Sequence, residues 1–372
     1  MVMNQSGKIG IKFLMMLTNL ETEQYRRQMV LPEIGEEGQD KLKNSNVLVV
    51  GAGGLGCPVL SYLVACGVGK IGIIDDDNVE VSNLHRQVLY SHQDVGINKA
   101  KVAAQKLRNL NPSIDIVAYS QRLTAQNAIR IIKDYNLLVD CTDNFRSRYL
   151  INDTCVILNK PFVFGSVLRF EGQVSVFNYQ NGPTYRCLFN TPPNPENSIS
   201  CNDAGVLGLI PGIVGSFQAM EVIKIICGIG EVLFGKLMIY NGLKNEYSWV
   251  KIDRDENKVN ISSLSDSIYS SEIIKTKDIN PIELKGKVND PEWIIIDVRE
   301  KDEVEVFGDL FNAICIPLKN LKSEINCIPK NRRIALVCQS GIRSSLAANI
   351  FIENGYEEVY NLKNGINSLV KS

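Results

Sequence analysis

At 372 residues the chain has room for two or three domains, and its 45% hydrophobic and 22% charged content is that of an ordinary water-soluble globular protein, with no membrane partner expected. Lys and Arg together number 40 and Asp and Glu 41, a balance that speaks against nucleic acid as a general partner. Ten cysteines, at 57, 66, 141, 155, 187, 201, 227, 315, 327 and 338, lack the dense even spacing of a disulfide framework, which points to a reducing cytoplasm.

The first apolar stretch, residues 9–17, carries Lys12 and is too short to span a bilayer. No small-residue cleavage site follows it. Residues 1–20 are therefore expected to be a disordered or mis-called extension, with Met15 or Met16 as the initiator. Residues 46–50 (NVLVV) read as a buried strand, followed by a glycine turn over 51–56 and a helix over 58–65. A second strand over 70–74 ends in Asp75, Asp76 and Asp77. Apolar residues at 103, 104, 107 and 110 predict a helix over 99–110, stopped by Asn111 and Pro112. Residues 137–139 predict a strand that runs into Asp140–Asp143. This alternation predicts a mostly parallel sheet with covering helices. Further strands are expected over 161–165, 173–179 and 236–240, and a long apolar helix over 214–227. Serine-rich residues 261–271 read as an interdomain linker. Strand-like runs over 293–298 and 333–337 place a second, smaller α/β unit from residue 272 onward.

The G-x-G-G-x-G turn, with Gly53 and Gly54 at its centre, lets the backbone approach phosphates at a helix N-terminus. Asp75 at the next strand end suits a bidentate contact to ribose hydroxyls. These features serve NAD and ATP equally. Four others favour a triphosphate. Asn83 and Arg86 lie in a polar loop. Lys99 opens a helix, where a cation is unfavourable unless an anion lies near. Asp143 sits just past a strand end. Arg26 and Arg27 have no evident structural task. A polyphosphate with Mg²⁺ needs several cations and a carboxylate, whereas a dinucleotide does not.

Near the C-terminus, Cys338, Gln339, Ser340, Gly341, Ile342 and Arg343 form a loop between a strand and a helix that opens with Ser344 and Ser345. Such a loop aims backbone N–H groups at the sulfur and stabilises a thiolate or persulfide. A tyrosine-phosphatase loop is built alike but is one residue longer, matching a larger tetrahedral anion. Asp297, Arg299 and Glu300 lie at another strand end. Cys201 differs from Cys66 and Cys227, which stand in apolar runs; it lies in a polar, proline-containing stretch.

The segments Tyr25-Arg-Arg-Gln28, GAGGLGCP, IIDDDNVEVSNLHRQ, VGINKAKVAA, DCTDNFRSRYLIND and CNDAGVLGLIPGIVGSFQAMEVIK resemble the ThiF/MoeB adenylyltransferases, relatives of the ubiquitin-activating enzymes, over residues 21–250. The resemblance implies that Asp75 binds the ribose, that Gly53 and Gly54 approach the phosphates, and that Asn83, Arg86 and Lys99 hold the triphosphate. It also implies that Asp143 takes Mg²⁺, that Arg27 reaches into the partner subunit's site of a homodimer, and that Cys201 stands where several relatives join covalently to their carrier. Many relatives bind a structural zinc through two C-x-x-C pairs. Here the first is Thr184-Tyr-Arg-Cys187 and residues 251–258 hold no cysteine, so no zinc is expected. IIIDVREKDEV, ICIPL and VCQSGIRSS resemble a rhodanese domain over residues 285–370, with Gly308-Asp-Leu in place of the usual Gly-His-Ile; this implies a persulfide on Cys338.

The expected fold is α/β: a Rossmann-like ThiF-type adenylation domain over 21–255, a linker over 256–271 and a smaller α/β rhodanese domain over 272–372. The expected function is ATP-dependent adenylation of the C-terminal glycine of a small ubiquitin-like sulfur carrier ending in Gly-Gly. Sulfur transfer through Cys338 follows, fed by a persulfide donor, for molybdopterin synthesis. A carrier of thiamine synthesis, a dehydrogenase on the same fold, and a non-catalytic carrier-binding scaffold are the alternatives.

Overall fold

The computed structural model describes residues 17–190, 205–259, 261–264, 277–308, 311–339, 341–362 and 365–366. They divide into two compact units, one before and one after residue 270.

The first unit is built on β1 (Asn46–Val50), β2 (Lys70–Ile74), β3 (Asp115–Tyr119), β4 (Leu137–Asp140), β5 (Phe162–Leu168), β6 (Glu171–Phe177), β7 (Lys236–Asn241) and β8 (Glu246–Lys251). Their order in the sheet is β3-β2-β1-β4-β5-β6-β7-β8. The strands β3 to β5 along that order are parallel, and the rest pair antiparallel. The sheet is thus mixed: parallel over the strands expected between residues 46 and 139, and antiparallel beyond β5. Only Arg169 and Phe170 separate β5 from β6, too few residues for the crossover that parallel pairing needs. Strand β1 is buried on both faces: Val47 and Val49 enter one core cluster and Leu48 and Val50 the other. Between β1 and β4 the chain direction of the sheet order reverses, which leaves a crevice at their carboxyl ends.

The helices of this unit are α1 (Asn19–Met29), α2 (Gly35–Lys43), α3 (Gly56–Ala65), α4 (Lys99–Leu110), α5 (Ala125–Ile132), α6 (Phe145–Ile157), α7 (Tyr185–Leu188) and α8 (Leu209–Cys227). By length and composition α8 could cross a membrane, but Ile210, Val214, Ala219 and Val222 are buried in the sheet-facing core. A Cβ on Gly165 would lie 2.3 Å from the Gln218 side chain, so the missing side chain is what lets α8 lie close to β5. Gly228 ends the helix at φ +72, a left-handed cap that glycine adopts without strain.

Two expected boundaries move. Thr18 caps α1, and its side chain and that of Glu21 complete a capping box. Thr18, Asn19 and Leu20 therefore belong to the folded unit rather than to an extension over 1–20; the expected initiators Met15 and Met16 lie outside the described residues. At the other end, Glu256–Lys258 forms a short turn, Val259 is buried and Leu264 packs on the core. The stretch expected as linker from 256 thus begins as part of the first unit, because its apolar side chains are covered there.

The second unit is a parallel sheet of β9 (Lys277–Ile279), β10 (Trp293–Asp297), β11 (Ile314–Cys315), β12 (Arg333–Val337) and β13 (Val359–Leu362), ordered β11-β10-β12-β13-β9. Its helices are α9 (Pro281–Lys285), α10 (Lys301–Phe307), α11 (Leu321–Glu324) and α12 (Ile342–Glu353). Alternation along β12 sends Ile334 and Leu336 to one core cluster and Ala335 and Val337 to the other. Cys338 continues that alternation into the first cluster, beside Ala347, Ala348 and Phe351 of α12.

The glycine turn after β1 yields a stability prediction. A Cβ on Gly56 would lie 2.1 Å from the Gly51 carbonyl oxygen, a backbone atom that cannot swing aside. Gly56→Ala should lower unfolding free energy by roughly 1–3 kcal/mol, read as a shifted denaturant midpoint; an unchanged midpoint would mean the turn is looser than described.

Candidate functional site

The crevice at the ends of β1, β2 and β4 gathers most of the residues expected to hold a nucleotide. Gly51 adopts φ +95, and a Cβ there would lie 2.7 Å from the Cys141 carbonyl oxygen. The glycine turn therefore presses on the end of β4, a contact open only to glycine. From β2, Asp75 accepts the Ala52 N–H at 2.7 Å on Oδ2 and the Asp77 N–H at 2.9 Å on Oδ1. Each oxygen keeps a further lone pair for a hydroxyl donor. Burial pushes the Asp75 carboxyl upward, opposed by the Ala52 N–H and by Lys99.

Lys99 begins α4 and is buried at 6% exposure. Its Nζ lies 2.9 Å from Asp77 Oδ2, and its N–H donates to the Asp77 carbonyl at 2.9 Å. Asn98 caps the same helix by accepting from Lys101 N–H at 3.2 Å and donates to the carbonyls of Asp75 and Asp77 at 3.1 and 3.0 Å. Tyr90 ties the opposite side, donating to the Ala52 carbonyl at 2.8 Å. The glycine turn, the acidic loop and the start of α4 are thus one hydrogen-bonded assembly.

Across Gly53 and Gly54 stand residues of the loop that follows. A Cβ on Gly54 would lie 3.5 Å from Arg86 Cδ and 3.1 Å from Pro211 Cβ; one on Gly53 would lie 3.6 Å from Gln87 Nε2. Arg86 donates to the Ser82 carbonyl at 3.1 Å. Asn83 is buried and accepts the Glu80 N–H at 3.2 Å. Gln87 is buried with no partner for Oε1 among the described residues. Gln87 and Asn98 were not among the expected site residues: a polar loop and a helix cap name the segment, not which side chain turns inward.

Asp143 is exposed beyond β4, with no hydrogen bond or ion pair of its carboxylate among the described residues. Its turn is held from beneath by Asp140, whose Oδ1 accepts the Thr142 N–H at 3.0 Å and hydroxyl at 2.7 Å. Gln218 of α8 donates to the Asp140 carbonyl at 2.8 Å. Arg148 donates to the Thr142 carbonyl at 3.3 Å and to Ser166 Oγ at 3.1 Å. Burial pushes the Asp140 carboxyl up to about 6, against the lowering effect of Arg148. A single free carboxylate at the strand-end crevice fits a divalent cation that takes its other ligands from phosphate and water. Arg27 is exposed on the last turn of α1; among the described residues no contact joins it to the crevice. Cys201 lies outside the described residues.

In the second unit, Cys338 is fully buried. Its Sγ accepts the Gly341 N–H at 3.1 Å and the Ser344 N–H at 3.3 Å, and lies 3.3 Å from the Ser344 hydroxyl. Gly341 has φ +88, the left-handed turn that aims its N–H at the sulfur. The loop runs through Gln339 and Ile342 into α12; Ser340 lies outside the described residues. Arg343 ends the loop, half-buried. Both ends of its guanidinium bind Glu303 of α10, with Nη2 at 2.7 Å from Oε1 and Nη1 on Oε2. Arg343 holds the Glu303 carboxyl below its usual range. Behind this pair, fully buried Arg299 binds Asp297 at 2.6 Å and the Gly308 carbonyl at 3.0 Å.

Where the resembled family places its zinc-binding pairs, Cys187 and residues 251–258 make other contacts. Cys187 Sγ lies 3.4 Å from the backbone nitrogens of both Thr184 and Asp255 and 3.5 Å from the Thr184 hydroxyl. Asp255 pairs with Lys258 at 3.2 Å. One thiol, already accepting N–H groups, and a carboxylate already bound to a cation do not make a tetrahedral zinc donor set.

Residues 25–261 match the ThiF family and residues 280–372 the rhodanese-like domain. A probable molybdopterin-synthase adenylyltransferase of Porphyra purpurea is 41% identical over 362 residues, covering 94% of this chain and 92% of that protein. The sulfur carrier protein adenylyltransferase of Thermus thermophilus is 51% identical over 243 residues, covering 64% of this chain and 90% of that one. The adenylyltransferase and sulfurtransferase MOCS3 of Drosophila yakuba is 40% identical over 359 residues, covering 89% of this chain and 79% of that one.

Asp140 gives the site a pH signature. A carboxyl raised from 3.8 to about 6 in the fold contributes stability below 3.8 that is lost as pH rises through that interval, because the folded state then binds the proton more tightly than the unfolded one. Asp140→Asn should remove this group's downward slope from denaturant unfolding measured between pH 4 and about 6. An unchanged slope would mean that Asp140 is hydrated rather than sealed beneath the turn.

Proposed function

The chain belongs to the ThiF family, and from that premise we propose that it adenylates the C-terminal glycine of a small ubiquitin-like sulfur carrier with ATP and then delivers sulfur to it from Cys338. It is an adenylyltransferase joined to a sulfurtransferase, as in its relative from Drosophila yakuba. The observation that carries the reading is the gathering of the Gly51–Gly56 turn, Asp75, Arg86 and Lys99 around one strand-end crevice.

In this reading Asp75 receives the ribose hydroxyls, and the backbone at Gly53 and Gly54 lies along the phosphates. Asn83, Arg86 and Lys99 hold the triphosphate. Lys99 stands ready for that task while it is paired with Asp77. Asp143 would hold Mg²⁺, whose chemistry there is to neutralise charge on the phosphates. The carrier carboxylate attacks the α-phosphorus, the bond to the β-phosphate oxygen breaks, and pyrophosphate leaves. No covalent enzyme group is required; positioning and preorganised charge lower the barrier. The partner subunit's Arg27 completes the cation set of a homodimer, which gives the exposed Arg27 a task that its own chain does not.

A persulfide on Cys338 then attacks the carbonyl of the acyl-adenylate and AMP leaves. The Gly341 and Ser344 N–H groups supply the field that favours anionic sulfur. Cys201 resolves the resulting acyl disulfide, leaving the carrier thiocarboxylate and a Cys201–Cys338 disulfide for an external thiol to reduce. The carrier is assigned to molybdopterin synthesis, a choice supported by the relative from Porphyra purpurea; a thiamine-pathway carrier is the second reading, supported by the broader name of the Thermus thermophilus relative. The protein is placed in a reducing cytoplasm, which suits thiols that work unpaired, and Thr184, Cys187, Asp255 and Lys258 serve as a clasp that needs no zinc.

Three outcomes test these assignments. Cys338→Ala should keep carrier-dependent ATP–pyrophosphate exchange and lose sulfur transfer; loss of exchange as well would end the division of labour. Asp143→Ala should reduce both by about 100-fold or more, and a near-wild-type exchange rate would exclude it from the nucleotide site. Elemental analysis should find zinc far below one per chain, with no change in Tm on chelation; stoichiometric zinc would overturn the clasp.

A further inference from the structure

The sulfur loop carries one cation, Arg343, and the fold pairs it with Glu303. We propose that Glu303 is a specificity-determining residue of the sulfur site: by binding Arg343 it keeps the loop selective for persulfide donors and against oxyanion donors such as thiosulfate. The inference rests on the reading that Cys338 carries sulfur.

Three observations support it. Among the described residues, the groups hydrogen-bonded at Cys338 Sγ are uncharged, the Gly341 and Ser344 N–H groups and the Ser344 hydroxyl. Such donors offer partial rather than full positive charge. The Arg343 guanidinium is close enough to be influenced by Cys338, yet both of its ends bind the Glu303 carboxylate. A planar fork matched to a carboxylate is the geometry an oxyanion would otherwise occupy. Glu303 is itself fixed, since Oε2 also accepts the Glu300 N–H at 2.9 Å as part of the helix cap. The next charged groups inward, Asp297 and Arg299, bind each other at 2.6 Å. An arriving dianion would meet two cancelled pairs rather than a free arginine.

The two donors differ in their leaving groups. With a persulfide, the Cys338 thiolate attacks the outer sulfur; the donor's S–S bond breaks and its thiolate leaves. With thiosulfate, the same attack on the sulfane sulfur expels sulfite. Each forms one S–S bond at Cys338, breaks one in the donor and needs no added oxidant or reductant. Only the second asks the site to bind a sulfonate-like group, which a free arginine would favour.

The test is the ratio of kcat/KM for thiosulfate to kcat/KM for cysteine persulfide, measured on the full chain with cyanide as acceptor. In the wild type the ratio should be about one-tenth or lower, and Glu303→Gln, which keeps the shape and frees Arg343, should raise it by about tenfold. Adding Arg343→Gln to Glu303→Gln should cancel the rise. A merely structural Glu303 would move both donors together and leave the ratio unchanged, which would overturn the proposal. A wild-type ratio near one would overturn it without any variant. Cys338→Ala is the control on the underlying reading: transfer that survives it would remove the sulfur site itself, and Glu303's role with it.

Discussion

The approach of Gly51 to the carbonyl of Cys141 is the constraint on which the nucleotide crevice depends. It joins the turn after β1 to the turn after β4 at the point where the sheet order reverses. A side chain at 51 would meet that carbonyl at 2.7 Å, and the two turns would part. With them in contact, the Ala52 N–H reaches Asp75, Tyr90 reaches the Ala52 carbonyl, and Asn98 binds the acidic loop to the start of α4. Lys99 is thereby held in a buried position that a lysine would not otherwise take.

The two sites solve the same problem at different scale. In each, a parallel strand ends, a glycine takes a left-handed turn, and a helix begins over the reactive position. Gly51 and α3 do this for the nucleotide, and Gly341 and α12 for Cys338. N–H groups supply positive potential without a mobile charge. What differs is the use of cations. The crevice keeps Arg86 and Lys99 beside the glycine turn, where the proposed triphosphate would need them. The sulfur loop has its arginine paired with Glu303.

Much of this was legible in the sequence because it is local. The glycine turn, Asp75 at the next strand end, Lys99 opening a helix and the Cys338 loop each follow from neighbours in the chain. The helix over Lys99–Leu110 lies where its apolar spacing placed it. Pairings across long separations were not legible. Nothing in the spacing of Arg343 names Glu303 as its partner, and nothing near Asp140 names Gln218. Of the antiparallel half, the strands β5, β6 and β7 were legible and β8 was not, because β8, exposed along its length, lacks the apolar run that marks a buried strand.

The central claim is that one chain activates a carrier and then supplies its sulfur. The direct measurement is the intact mass of a Gly-Gly-ending carrier incubated with this protein, ATP, Mg²⁺ and a persulfide donor. The account predicts conversion of the carrier's C-terminal carboxylate to a thiocarboxylate, dependent on ATP. A carrier left unchanged, or one stalled as an acyl-adenylate while Cys338 bears a persulfide, would contradict it.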